Sequence, residues 1–209
     1  MKSFFLTNYF LLLIHFVSFG QVGVRVFNYR PLGKLGFHMK PLTSLELSYQ
    51  DDLSEDDRFR ASFGISYLNM KPRLASFPVY SVDAHGGNGN EIFEGAQIFN
   101  KYTLLQFSSG VDYAFLCKGK LIMYVGNDII GGSSEIDYKT TYFGSSGGKI
   151  VVENLFFIGY RVKLGIEYNM TDNIGFFVNA SRLGFVTVDP PSRAGAIDIG
   201  FGMRYLFFR

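Results

Sequence analysis

The chain has 209 residues, enough for one domain of ordinary size, and a formal net charge of +2, which gives nucleic acid no electrostatic hold. Phe (23), Tyr (13) and Gly (24) are abundant and Trp is absent, so the expected class is all-β. Regular alternation along the chain and only six prolines exclude intrinsic disorder.

The first twenty residues stand apart. Lys2 precedes an apolar run that ends at Val17, and Ser18-Phe19-Gly20 follows as small-any-small. This is the layout of a secretory signal peptide cut before Gln21. An N-terminal membrane helix fits less well, because Thr7, Asn8 and His15 interrupt the run before ~20 clean apolar residues accumulate. Residues 1–20 are therefore expected to be a signal and 21–209 the mature domain. Cys117, the one cysteine, can form no internal disulfide and is expected as a reduced turn residue.

Eight strands are predicted along the mature chain. The first runs about Gln21 to Asn28, with Val22, Val24 and Val26 opposite Gly23 and Arg25, and "RPLGK" reads as a tight turn. The second runs about Leu35 to Tyr49, with Leu35, Phe37, Met39, Leu45 and Leu47 opposite His38, Ser44 and Glu46. After the acidic "QDDLSEDD", the third runs about Arg58 to Met70, with Phe59, Phe63 and Ile65 opposite Arg58 and Arg60. A long segment, about Lys71 to Tyr102, precedes the fourth, about Thr103 to Leu116, which closes a hairpin through "CKGK" onto a fifth beginning near Leu121. A Gly/Ser-rich segment, about Gly131 to Gly148, contains the alternating "EIDYKTTYF", so this hairpin is expected to continue beyond the main sheet. The sixth strand is "LFFIGYRVKLGIEYN", whose alternate residues Phe156 to Tyr168 are all apolar or aromatic. The seventh, about Ile174 to Val188, loses regular parity after Arg182, as a bulge would cause. The eighth, about Ala196 to Phe208, alternates strictly.

Short turns follow the second, fourth and sixth strands, and the longest connections follow the third and fifth. That is the rhythm of a closed, antiparallel up-and-down transmembrane barrel with short turns on one side and longer loops on the other. The polar parity agrees. It is dominated by Gly and Ser, including Gly64, Gly110, Gly126, Gly159, Gly165 and Gly200, where a water-facing surface would carry Lys, Glu and Thr. Small residues suit the narrow interior of an eight-stranded barrel, where they leave room for a few large ones. Those are Arg25, Glu46, Arg58, Arg60, Asp112, Asp128, Arg161, Lys163, Glu167, Asp198 and Arg204, expected to pair as a lumen charge network. The other parity is apolar on nearly every strand and suits hydrocarbon. Tyr49, Tyr67, Tyr113, Tyr160, Tyr168 and Tyr205 lie near strand ends, where an aromatic girdle belongs.

On this strand-turn rhythm and the terminal "GFGMRYLFF", the chain over residues 21–209 resembles small outer-membrane barrels of the OmpA/OmpX type. The resemblance implies outer-membrane localisation and lipid contact. It also implies that Tyr205, Phe207 and Phe208 form the signal read by the outer-membrane assembly machinery, although Arg209 follows the aromatic where such barrels often end on it. The Gly-Gln junction and the Tyr/Phe/Gly-rich strands look like Bacteroidota proteins of this class.

Candidate chemistry is sparse. Ser81, Asp83 and His85 in "YSVDAHGGNGNE" are the types of a nucleophile with its base, but alternate residues on one extended run point side by side rather than converging. A polar external loop is preferred. Asp83, Asn88, Asn90 and Glu91 are suitable Ca²⁺ ligand types without the matching spacing, and His38 lacks metal-ligand partners, so no metal or cofactor is expected. "NMT" and "NAS" match the glycosylation pattern at poor positions. The function expected is a non-enzymatic outer-membrane barrel with a plugged lumen, an accessory or partner-binding subunit of an envelope complex that uses residues 74–102 and 131–152 or its wall. A small pore, a lipid-modifying enzyme and a soluble lipocalin-like binder are the alternatives.

Overall fold

The computed structural model describes residues 20–54, 58–83, 91–142, 148–187 and 193–206. They form β1 (Gln21–Leu32), α1 (Gly33–His38), β2 (Leu42–Asp52), β3 (Phe59–Met70), β4 (Phe77–Asp83), β5 (Glu91–Lys118), β6 (Leu121–Tyr142), β7 (Gly148–Asn169), β8 (Ile174–Thr187) and β9 (Arg193–Leu206). Every pairing is antiparallel and joins neighbours in the order β3-β2-β1-β9-β8-β7-β6-β5, and β3 pairs with β5 to close the ring. The barrel therefore has eight strands. The additional strand, β4, pairs only with the first part of β5, from Phe77↔Gln97 to Asp83↔Glu91.

Side-chain period two then sorts residues into wall and interior. Val24, Leu47, Phe63, Ile65, Phe107, Leu164 and Phe201 point outward and are exposed. Arg25, Glu46, Arg161 and their like point inward and are buried. Tyr49, Tyr113, Tyr168 and Tyr205 lie toward the rim that holds Gln21 and Leu206, and Tyr67 and Tyr160 toward the opposite rim.

Three middle strands outgrow the barrel. β3 stops pairing with β5 at Met70↔Tyr102, and β8 stops pairing with β7 at Phe157↔Thr187. β5, β6 and β7 continue past both limits as a sheet with β4 along one edge. The expected prolongation of "EIDYKTTYF" is present through Tyr142, with Phe143 outside the described residues, and the segment predicted as an interruption at 71–102 contains β4 and the start of β5.

Two local expectations are corrected. "RPLGK" is not a tight turn: β1 continues to Leu32, Gly33 takes a φ of 61°, and α1 follows. Leu35, Phe37 and Met39 alternate in sequence as a strand would, yet Met39 N–H donates to Leu35 O at 2.9 Å, as a helical turn requires. The second strand consequently begins at Leu42. β8 contains no bulge after Arg182, since its register with β7 and β9 is unbroken. What changes there is side-chain chemistry: Leu183 and Phe185 occupy the interior parity. The register shifts occur in β5 against β6, at Phe99/Lys101 and Ala114/Leu116.

Candidate functional site: the barrel interior

The interior has two tiers. The tier nearer the chain termini is charged. Arg25 Nη1 donates to Asp198 Oδ1 at 2.8 Å and Asn179 Oδ1 at 2.7 Å, and its Nη2 donates to Glu46 Oε2 at 3.3 Å. Arg161 donates to the same Glu46 oxygen at 2.6 Å, to Asp128 Oδ2 at 2.7 Å and to Ser108 Oγ at 2.9 Å. Lys163 Nζ lies 2.8 Å from Asp112 Oδ1, 3.0 Å from Asp128 Oδ1 and 2.9 Å from Ser62 Oγ. Arg60 pairs with Glu167 Oε2 at 2.9 Å, and Arg204 pairs with that same oxygen. Arg204 also lies over the Phe177 ring, 4.3 Å from its centroid.

Among the described residues, the buried cations of this tier are Arg25, Arg60, Arg161, Lys163 and Arg204, and the buried anions are Glu46, Asp112, Asp128, Glu167 and Asp198. Each has at least one ion-pair partner within the tier, and the two signs cancel. Such cancellation is what allows charges to sit away from water, because unpaired buried charge is costly. The void left between Glu46, Gln50, Tyr124, Arg161 and Lys163 is about 20 Å³, room for about one water molecule.

Glycine makes this packing possible. A Cβ on Gly126 would stand 2.1 Å from Asp112 Oδ1 and 2.3 Å from Lys163 Cε. A Cβ on Gly165 would stand 2.3 Å from the Tyr124 ring.

The tier nearer the opposite rim is apolar. Phe27 and Tyr29 of β1, Leu68 and Met70 of β3, Leu104 of β5, Ile130 of β6, Phe157 of β7 and Leu183 and Phe185 of β8 form one buried cluster. The sequence reading missed it. Its signal was present: these residues occupy the parity that carries glycine and charge nearer the other rim. α1 lies against this tier, with Leu35 packed on the cluster. Arg73 ties it down by donating through Nε to Gly36 O at 2.7 Å and Met39 O at 3.0 Å, and the Met39↔Pro72 bridge adds a second tie.

Several predicted residues lie elsewhere. Arg58 is not in the lumen; it precedes β3, is exposed, and its backbone N–H donates to Ser54 Oγ at 3.2 Å. Its alternation with Phe59 extrapolated the strand one residue into the turn. His38 is not on a lumen-facing strand; it ends α1, with its ring 4.6 Å from Phe77 and 6.2 Å from Phe99. Ser81 and Asp83 lie on β4, opposite Phe93 and Glu91, while His85, Asn88, Asn90, Phe207 and Phe208 lie outside the described residues. Tyr205 is on β9, outward and exposed. Cys117 is exposed on β5, paired with Ile122, rather than in the turn. Among the described residues no group of His, Cys, Asp and Glu is arranged to hold a metal ion.

No family model matches the chain, and no curated protein matches it. Solved structures do. Neisserial surface protein A aligns with a TM-score of 0.54 at 15% identity, over 90% of this chain and 97% of that one. Ail, the attachment invasion locus protein of Yersinia pestis, aligns at 13% identity over 90% and 95%, with a TM-score of 0.39. The N-terminal β-barrel domain of Pseudomonas aeruginosa OprF aligns at 17% identity over 87% and 96%, with a TM-score of 0.34. The likeness to Neisserial surface protein A and the closed ring of pairings together show that the chain has the fold of a small, eight-stranded outer-membrane β-barrel.

Proposed function

We propose that this protein is an integral outer-membrane barrel with a sealed interior, that it performs no catalysis, and that it works by presenting its projecting sheet to a protein partner in the cell envelope. The observation that carries this reading is the filled lumen. Charges that cancel within one tier leave no electrostatic path for an ion, and an apolar tier roofed by α1 closes the other end. Dewetted apolar constrictions are themselves barriers to ions. The exposed apolar wall supports the membrane location: Phe156, Ile158, Tyr160, Val162, Leu164, Ile166 and Tyr168 form one continuous outward stripe on β7, and a stripe of that length spans the ~25 Å apolar band of such barrels. Short turns then lie on the periplasmic side and the projecting sheet outside the cell. The chain devotes its largest non-barrel structure to that sheet, which supports a binding role.

Planar-bilayer recording tests the seal. The reconstituted protein is expected to give no steady conductance, and stable single-channel steps would overturn the reading. Affinity isolation after gentle detergent extraction tests the binding role; a monodisperse monomer that retains no other envelope protein counts against it.

A further inference from the structure

We infer that the open edge of β7 beyond the barrel rim is a homotypic adhesive strand, which pairs antiparallel with the same strand of a second copy carried by a facing membrane. This inference rests on the outer-membrane reading above, which points the projecting sheet away from the cell.

Among the described residues, β7 from Gly148 to Phe156 is hydrogen-bonded on one side only, to β6. A long unpaired edge is a template for another strand and is ordinarily blunted by charge, proline or a bulge. Here the β6–β7 ladder runs without a register shift from Leu121↔Tyr168 to Thr141↔Gly148, the edge carries no proline, and its two charges, Lys149 and Glu153, are of opposite sign. Ile150 and Val152 project from the strand at 66% and 57% exposure. At ~3.3 Å per residue, Val151 stands roughly 20 Å beyond Phe157, where pairing with β8 ends. Ile150 and Val152 therefore lie past the outward stripe of Phe156 to Tyr168, which already spans the ~25 Å apolar band.

The edge is complementary to itself. An antiparallel pair of identical strands related by a two-fold axis places a residue opposite its own copy, since opposed residues share a face of the sheet. With Val151 on the axis, Lys149 faces Glu153 of the second copy, Ile150 faces its Val152, and both contacts occur twice. Moving the axis to Lys149 or Glu153 opposes like charges, and moving it to Ile150 or Val152 leaves both charges without an opposite partner. Opposite charges and β-branched pairs are the favourable cross-strand combinations, and like charges the unfavourable ones. Glu153 is already positioned, because Tyr138 Oη donates to its Oε1 at 2.8 Å.

Symmetry selects the facing membrane. β7 is continuous with the barrel wall, so its direction is tied to the orientation of the barrel. Copies in one membrane, with strands tilted about 45° or less from the normal, bring their β7 edges together crossed rather than antiparallel. Two membranes that face each other bring the strands together in opposite directions.

The test uses two populations of phosphatidylcholine vesicles, one with donor and one with acceptor dye, each carrying the reconstituted protein. Wild type is expected to cluster them. K149E and E153K, each used alone in both populations, are expected to lower clustering roughly tenfold or more, because each turns two attractive pairs into two repulsive ones. K149E vesicles mixed with E153K vesicles are expected to cluster again, as are vesicles of the double variant K149E/E153K. In a C117S background, V151C is expected to form a disulfide between the two populations. Dispersed wild-type vesicles, single variants that cluster like wild type, or no recovery in the mixture would each overturn the inference. So would a V151C disulfide formed only between copies in the same vesicle. Flotation of the protein with its vesicles separates this failure from failure of the outer-membrane reading, which a non-floating protein would indicate.

Discussion

Glu167→Gln is the sharpest probe of the lumen. One oxygen of Glu167 receives both Arg60 and Arg204, and among the described residues no other carboxylate is ion-paired with either guanidinium. All three side chains are at most 3% exposed. Glutamine keeps the volume and removes only the charge, so neither a cavity nor a packing change confuses the outcome. The change removes the ion-pair partner that both buried guanidiniums share. Breaking a buried pair by removing one partner costs about 3–5 kcal/mol, and the loss here is expected at the upper end because two cations share one anion. The measurement is equilibrium urea unfolding in phospholipid vesicles, followed by tyrosine fluorescence because the chain has no Trp, with the shift of the folded band on unheated gels as a second readout. The triple variant Glu167→Gln, Arg60→Met, Arg204→Met is expected to recover most of the loss, since apolar replacement of a whole buried ionic group is commonly neutral or favourable. A loss below about 1 kcal/mol for Glu167→Gln alone would show that the lumen is not dry, because only a well-hydrated interior screens stranded charges that effectively.

Gly126→Val is expected to cost about 1–3 kcal/mol through overpacking against Asp112 and Lys163, whereas Gly131→Ala, with nothing nearer than 3.7 Å, is expected to be close to neutral in the same unfolding assay. Leu104→Ala, at 0% exposure in the apolar tier, is expected to cost about 2–5 kcal/mol without giving bilayer conductance, because the charged tier beneath it stays filled. Ile199→Lys, on the outward wall of β9, is expected to lose about 2–4 kcal/mol of stability in vesicles if the wall meets hydrocarbon at mid-depth. A neutral result there would place the wall in water. Arg73→Ala is expected to speed amide exchange at Met39 and Lys40, read by mass spectrometry, by freeing the tie between α1 and the segment after β3.

Period-two alternation carried most of this structure into the sequence. Leu164 and Arg161 could be assigned to opposite faces because a strand allows only two sides, and the glycine-rich polar parity identified the face that had to fit inside a narrow ring. Lumen charges were recognisable for the same reason, since a charge among small residues on the enclosed parity needs an opposite charge nearby. Which charges meet was not legible. Arg161 on β7 reaches Glu46 on β2 across the barrel, and that encounter depends on closure and strand stagger, which no local pattern records. The apolar tier was hidden because Leu183 and Phe185 carry the chemistry of wall residues on the parity of the interior. α1 was hidden because Leu35, Phe37 and Met39 satisfy a strand pattern until a glycine at positive φ starts a helical turn. The one-sided pairing of β7 is likewise a property of the tertiary structure alone, since among the described residues its ladder with β8 extends only to Phe157↔Thr187 while its ladder with β6 extends to Thr141↔Gly148.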